Sequence, residues 1–376
     1  MSEVTMETVP CIRPYFDIGE EERQRIVHLL DSGYVTNNGP YVREFESKLA
    51  EHLGTRETAV VSSGSEALLL ALTALDLSPG KVILPAYTYV ATLNAVVQAG
   101  FEAVFCDIHP DTYVMHPDHL AEILQTHPDV RCVIPVNVYG IPPNLPTIRS
   151  LCDSASIPLI FDNAHGFGTE IAGEKMPGEP DIQCFSFHAT KTLPAIEGGM
   201  VIADDPTVLA TVKQLRNHGL PPKPTDHYRP GFNAKLDEIR AVIGISALEH
   251  FPETLARRRT YGQRLVEAFK RFPDDYATQA VPRDVNTNFQ NIGVRCLAAA
   301  QIGLTRTIDA FVTNGVCVRS YFSPPLYKFR GFDSGPTLPV TESVWKTLVS
   351  VPIHSRMTEE ELHQIEEAAA RVARTC

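Results

Sequence analysis

"IQCFSFHATKTLPAIEGGMVIAD" (Ile182–Asp204) holds two short apolar runs, "IQCFSFH" and "GMVIAD". Between them lie Lys191, Pro194, Glu197 and the pair Gly198-Gly199. Apolar runs of this length, bounded by Gly and Pro, read as buried strands. A Lys just past a strand is most often a solvated surface charge. It is also where covalent chemistry with an aldehyde places its amine. The flanking sequence has to decide between these readings.

Working upstream, further apolar runs appear: "AVVSS" from Ala59, then "KVILP", "EAVFCDI", "RCVIPV" and "PLIFDNA". Helical patterns such as "SEALLLALTAL" and "PTIRSLCDSAS" separate several of them. Continuous apolar strands alternating with helices specify an α/β fold, a mostly parallel sheet covered on both faces. Seven such runs predict a seven-stranded sheet over roughly residues 55 to 205.

Before this block, residues 18–32 form a predicted helix with acids in its first turn and Gly33 after its end. After it, "NAKLDEIRAVIGISALEHF" predicts a helix with Leu236, Ile239 and Ile243 on one face, bridging two domains or lying at a subunit interface. Beyond residue 255 the pattern changes. A strand in "NFQNIGVRC", a helix in "LTRTIDAFVTNG", a strand in "VCVRSYF" and a last helix capped by Thr358 and Glu361 predict a small α+β domain. The expected division is a large domain over 1–250 and a small one over 251–376.

Composition narrows the function classes. The 376 residues are 44% hydrophobic and 21% charged, with a net charge of −12 and no basic stripe, which argues against nucleic acid as a partner. No apolar run reaches the length of a membrane span. "MSEVTMETVPCIRPYF" is acidic and lacks a basic-then-apolar leader, so a cytoplasmic protein is expected. The eight cysteines show no C-x-x-C spacing, and the expectation is reduced, buried thiols with neither a zinc site nor a disulfide framework.

Four strand-end segments carry residue types suited to chemistry, and ligands of open α/β sheets collect at the carboxyl ends of strands. "VVSSGSEALLLAL" runs a strand into Ser62, Ser63, Gly64 and Ser65 and then a helix. Free N–H groups there hold an anion, or the turn simply caps its helix. It matches neither a Walker loop nor a G-x-G-x-x-G turn. In "PAYTYVATLNAVVQAG", Tyr87 and Tyr89 either stack on a planar ligand or pack the rim of the core. In "LIFDNAHGFG", Asp162 ends a very apolar strand and needs a cationic or hydrogen-bonding partner if buried. His165 follows it. In the opening stretch Ser186 and His188 precede Lys191, and the glycine pair permits close backbone approach.

Each signal alone is weak. Together they are what pyridoxal 5'-phosphate requires: an anion site, a flat group for the ring, a carboxylate for the ring nitrogen and a lysine for the aldehyde. The series "SSGSEAL", "PAYTYVATLNAV", "FDNAHGFG", "FSFHATK…EGGM", "GFNAKLDEIRA" and "SVPIHSRMTEEEL" resembles the DegT/StrS sugar aminotransferases, pyridoxal phosphate enzymes of fold type I. The resemblance runs from about Pro14 to the C-terminus. It implies that Lys191 bonds the cofactor's aldehyde, Asp162 binds the pyridine nitrogen and His165 lies near the phenolic oxygen. It further implies that Tyr89 stacks on the ring and that Gly64, Ser65 and Ser186 cradle the phosphate. Asn233 matches a residue given to the phosphate by the other subunit, which implies a homodimer with active sites at the interface.

Within that family, "VTNNGP" (with Asn38), "FHATK…IEGG" and "RSYFSPPLY" most resemble the subgroup acting on dTDP-4-keto-6-deoxy sugars, with an amino acid such as L-glutamate as donor. Ile196 replaces a common Gly and Tyr321 a common His; with Phe322 and Asn38 these are the candidate substrate contacts. A keto-cyclitol acceptor is an alternative. A sugar dehydratase is disfavoured because relatives of that type carry His at the position of Lys191, and a non-catalytic sensor because Lys191 and Asp162 are both present.

Overall fold

The seven apolar runs are seven strands of one sheet. The computed structural model describes residues 8–374 apart from 176–177, 222, 224, 226 and 333–336; Cys376 lies outside the described residues. The chain opens with helices α1 (Glu20–Ser32) and α2 (Pro40–Leu53). Gly33 closes α1 in the left-handed conformation, φ 70°, as its position after the helix predicts. Strand and helix then alternate: β1 (Ala59–Val61), α3 (Gly64–Ala74), β2 (Lys81–Pro85), α4 (Val90–Gln98), β3 (Glu102–Cys106), α5 (Pro117–Thr126), β4 (Val130–Val133), α6 (Leu145–Ala155) and β5 (Ile160–Asp162). A short β6 (Glu170–Ile171) precedes β7 (Ile182–Ser186), β8 (Gly199–Ala203) and α7 (Pro206–Leu215).

Two ladders, β1-β8-β7-β5 and β3-β2-β4, are joined by parallel bridges Val133–Leu159 and Val136–Asp162. The sheet order is therefore β1-β8-β7-β5-β4-β2-β3. Only β8 runs antiparallel to its neighbours. The reason lies in the opening stretch: residues 187–198 contain no crossover helix, and a parallel return needs one. Alternation along the strands builds both faces. Val82 and Leu84 pack under α3 and α4, whereas Ile83 between them packs under α5 and α6. Val60, Phe185 and Met200 face α2 and α8 (Glu238–Glu249).

Helix α8 differs from expectation. Leu236 precedes it, and Ala241 to Ser246 are all buried, so it is a core helix and not a one-faced bridge. Its fully buried Glu238 accepts the N–H groups of Gly39 (2.6 Å) and Tyr41 (2.8 Å) at the start of α2, where a carboxylate is stabilised. The bridging helix is α9 (Phe251–Lys270), about 30 Å long at 1.5 Å per residue. Its Phe251 and Leu255 join the core under α2, and its Leu265 and Phe269 join a second core.

That second core lies between a sheet and helices. The sheet follows the order β12-β11-β9, with β9 (Tyr276–Thr278), β11 (Ile292–Cys296) and β12 (Leu348–Val351) antiparallel; a short β10 (Val285–Asn286) pairs with β6 instead. Besides α9, the helices include α10 (Ala299–Ile302), α11 (Leu304–Thr313) and α13 (Glu359–Ala373), whereas α12 (Pro339–Trp345) packs its Val344 against a separate cluster with Tyr87, Tyr139 and Phe322. Thr358 and Glu361 form the expected reciprocal cap of α13. "VCVRSYF" is not a continuous strand: it makes only the isolated bridges Val9–Val316 and Arg319–Ser350.

Candidate active site

Because β1, β2, β4, β5 and β7 run parallel, their carboxyl ends share one edge of the sheet. A cavity of about 630 Å³ opens there. Gly64, Ser65, Tyr89, Asp162, His165, Ser186 and Lys191 all line it, as do Tyr321 and Phe322, the latter against the rings of Tyr89 and His165.

The anion pole sits where β1 feeds α3. Ser63 caps the helix, its side chain accepting the N–H of Glu66 at 3.2 Å, which leaves the first-turn N–H groups of Gly64 and Ser65 pointing past the helix end. Two glycines permit the packing around this turn. A Cβ on Gly64 would stand 2.7 Å from Ser186 Cβ, and one on Gly199 would stand 2.3 Å from the Ser63 carbonyl oxygen. The hydroxyl of Ser186 is thereby brought to the helix N-terminus, a cradle fitted to a phosphate.

The carboxylate pole is Asp162, 4% exposed. Its Oδ2 accepts from Thr92 Oγ1 at 2.8 Å and its Oδ1 from the Ala164 N–H at 3.2 Å. Burial raises its pKa, opposed by Thr92, Ala164 and the positive field of Lys191. A buried acid with two neutral donors is stabilised further by a cation, and a protonated pyridine nitrogen supplies one. His165 faces the same space. Its Nδ1 accepts the Tyr139 N–H at 3.2 Å, and its ring packs against both Tyr139 and Phe322 at centroid distances of 6.1 Å each, the three rings being in mutual contact. Burial and then Lys191 hold it neutral, well below the usual histidine range, so Nε2 carries the proton and is a donor.

Lys191 lies beyond β7, its N–H donating to the His188 carbonyl at 2.8 Å. Burial lowers its pKa to about 8, with Asp162 opposing. A neutral amine is therefore accessible near physiological pH. The loop is clamped from a distance: Gln290 Oε1 accepts the Thr192 N–H at 3.0 Å and Gln290 Nε2 donates to the Thr190 carbonyl at 2.9 Å, bracketing Lys191. Arg258 of α9 in turn donates to the carbonyls of Phe289 and Gln290. The acid, the buried donor, the lysine and the cradle fit pyridoxal phosphate.

The sequence reading did not single out Thr92 or Gln290. A polar residue in the first turn of an apolar helix was the available signal for Thr92. Gln290 carries none, since its role arises from a contact between residues nearly a hundred positions apart. Of the two tyrosines after β2, Tyr89 is 60% exposed at the cavity, whereas Tyr87 is fully buried, bonded to Tyr139 Oη at 3.1 Å and to the Tyr321 carbonyl. Three candidates lie outside this chain's cavity. Ile196 is 42% exposed with φ 66°. Asn38 Oδ1 accepts from Arg216 at 3.3 Å, and Asn233 Oδ1 accepts from Lys235 at 2.8 Å.

Solved structures share the architecture. The chain is similar to DesI, solved in the presence of its TDP-sugar product, at 29% identity, with 98% of this chain and 94% of that one covered and a TM-score of 0.90. It is similar to DesV of S. venezuelae, solved with a ketimine intermediate, at 25% identity, with 94% of each chain covered and a TM-score of 0.86. Similarity to the aminotransferase TlmJ of Streptoalloteichus hindustanus is 25% over 98% of this chain and 99% of that one, TM-score 0.88. The model of the DegT/DnrJ/EryC1/StrS aminotransferase family matches residues 16–369. The chain therefore belongs to the DegT/DnrJ/EryC1/StrS aminotransferase family, as a sugar aminotransferase that depends on pyridoxal phosphate.

Proposed function

We propose that the protein moves the amino group of an amino acid, L-glutamate, to a nucleotide-linked 4-keto-6-deoxyhexose carried on dTDP, giving an amino sugar. The observation that carries this reading is the convergence of Lys191, Asp162, His165 and Ser186 on one cavity whose lining also contains five arginines, Arg13, Arg257, Arg258, Arg319 and Arg356. Of these five, Arg13, Arg257 and Arg356 pair with Glu361, Glu253 and Asp17 and Arg258 donates to backbone carbonyls, which leaves Arg319 to meet an anionic substrate such as a nucleoside diphosphate. Similarity to DesI, solved with a TDP-sugar product, supports the same class.

When bound, pyridoxal phosphate supplies an electron sink for the carbanion formed at the donor's α-carbon. Lys191 would bond its aldehyde, the N–H groups of Gly64 and Ser65 with the Ser186 hydroxyl would hold its phosphate, Tyr89 would cover its ring and Asp162 would keep its ring nitrogen protonated. His165, neutral with Nε2–H, would be the donor for its phenolic oxygen. Once released by the amino donor, Lys191 Nζ takes the proton from the α-carbon as a general base, a role its lowered pKa favours. The same amine returns a proton during the second half-reaction, on the keto sugar. Asn233, exposed and outside its own chain's cavity, is the residue each subunit presents to the other in a homodimer.

The test is a panel of acceptors. The pyridoxamine form of the protein, mixed with nucleotide-linked keto sugars and with keto-cyclitols, should regain the visible cofactor band with a dTDP-4-keto-6-deoxyhexose. Recovery with a keto-cyclitol alone would overturn the acceptor assignment.

A further inference from the structure

Seven cysteines are described, and two differ from the rest. Cys106, Cys132, Cys152, Cys184 and Cys296 are buried, as the composition predicts, whereas Cys11 and Cys317 are half-exposed. Neither takes part in the chemistry above. They come from opposite ends of the sequence, yet Cys11 Sγ lies 2.7 Å from Cys317 Sγ and donates to the Cys317 carbonyl at 2.7 Å. Backbone pairing sets this register. The Val9 N–H donates to the Gly315 carbonyl at 2.8 Å, the Cys317 N–H donates to the Val9 carbonyl at 3.0 Å, and Val9 and Val316 form a parallel bridge. Two thiols on paired backbone, in van der Waals contact or closer, reach the ~2.05 Å of a disulfide by side-chain adjustment alone. A thiolate metal site is the rival use of such a pair, but the described residues contain no cluster of three His, Cys, Asp or Glu able to hold an ion.

The geometry points to a covalent modification site: Cys11 and Cys317 form a disulfide on exposure to a peroxide, stapling the N-terminal segment of the cavity to its outer wall. Cys11, Arg13, Tyr15 and Asp17 line the cavity from one side of this junction, and Arg319, Tyr321 and Phe322 line it from the other. Burial, then the adjacent Cys317 thiol, push Cys11 up to about 12, so it stays protonated at neutral pH. Peroxide transfers one oxygen to the Cys317 sulfur, giving a sulfenic acid and one water. The Cys11 sulfur then attacks the Cys317 sulfur, and the hydroxyl leaves with the Cys11 proton as a second water. Two thiols have lost two electrons and the peroxide has gained them. Dithiol reductants reverse the bond.

The experiment treats the reduced full-length protein with hydrogen peroxide, alkylates free thiols and weighs the intact chain and its peptides. The expected result is a loss of two alkylatable thiols and of the mass of two hydrogens. A cross-linked peptide should join Cys11 to Cys317, and all three changes should reverse with dithiothreitol. In Cys11→Ser and, separately, in Cys317→Ser, the cross-link and the paired thiol loss should both vanish. The oxidised protein should also resist cleavage within residues 8–17 severalfold better than the reduced form. Overturning results are two thiols that remain alkylatable after peroxide, the same paired loss in either serine variant, or equal cleavage rates. None of these readouts depends on the substrate, so they stand or fall apart from the proposed reaction.

Discussion

The two sides of the cavity are built in different ways. The cofactor side is a row of strand ends: β1 into α3, β2 into α4, β5 with Asp162, β7 with Ser186 and Lys191. Each element there is local, a strand followed at once by the residues it presents. The outer wall is assembled from chain that is distant in sequence. Phe322 packs on Tyr87 (5.4 Å), Tyr139 (5.9 Å) and His165 (6.1 Å), and Arg319 Nη1 donates to Tyr321 Oη at 3.1 Å. In the proposed reaction the first side binds the cofactor and the second meets the substrate. Disturbing the first should abolish chemistry, whereas disturbing the second should redirect it.

The largest effect is expected at Lys191. In the proposed mechanism Lys191→Ala removes both the bond to the aldehyde and the general base, so turnover should fall by about 10⁴-fold or more. The visible band that borohydride discharges in the native protein should be missing. The native lysine also gives a pH test. Its pKa is lowered to about 8, so the neutral, reactive amine predominates above that value. The rate at which apoprotein takes up pyridoxal phosphate should rise as pH increases through about 8 and then level off. A rate that falls over the same range would show that the amine is not the limiting group.

Asp162 comes next. Asp162→Asn should still bind the cofactor through the phosphate cradle, while each half-reaction slows by about 10²- to 10³-fold, because the ring nitrogen loses its anionic partner. Thr92→Val keeps the carboxylate and deletes one charged hydrogen bond, worth about 1.5–3 kcal/mol, so about a tenfold or larger loss is expected. Thr92 lowers the pKa of Asp162, and its removal should shift the acidic limb of the pH–rate profile upward. Single-turnover rates across pH would check both. An Asp162→Asn protein of full activity would remove the carboxylate from the mechanism.

The same division explains what could be read from the residues. All seven strands of the large sheet were legible because each is a continuous apolar run bounded by turn chemistry. Asp162 and Lys191 were legible because a charge closing such a run needs a reason to be there. The reversed direction of β8 was harder: it follows from the missing helix between Phe187 and Gly198, an absence and not a motif. The burial of α8 was misjudged because its apolar residues surround the helix, and periodicity marks only one-sided burial. Gln290, Arg258 and the Cys11–Cys317 contact were out of reach, since each depends on tertiary pairing between segments that have no local signature.

The smallest effect is expected on the wall, and it is the one that sharpens the comparison most. Tyr321 carries its hydroxyl against Arg319, and Arg319 has no carboxylate within ion-pair distance among the described residues. Tyr321→Phe removes that acceptor and leaves the guanidinium with its Cys11 contact alone, the ring's apolar area unchanged. The cofactor side lies on other elements, so cofactor affinity should hold. If, as proposed, the wall meets a sugar hydroxyl or phosphate, one altered polar contact is worth about tenfold in kcat/KM. The keto-sugar half-reaction should therefore change several times more than the amino-acid half-reaction, measured separately by the loss and recovery of the visible band. Equal changes in both halves would mean that Tyr321 acts through Phe322 on His165. In that case the wall would belong to the cofactor site, and the division between the two sides would fail.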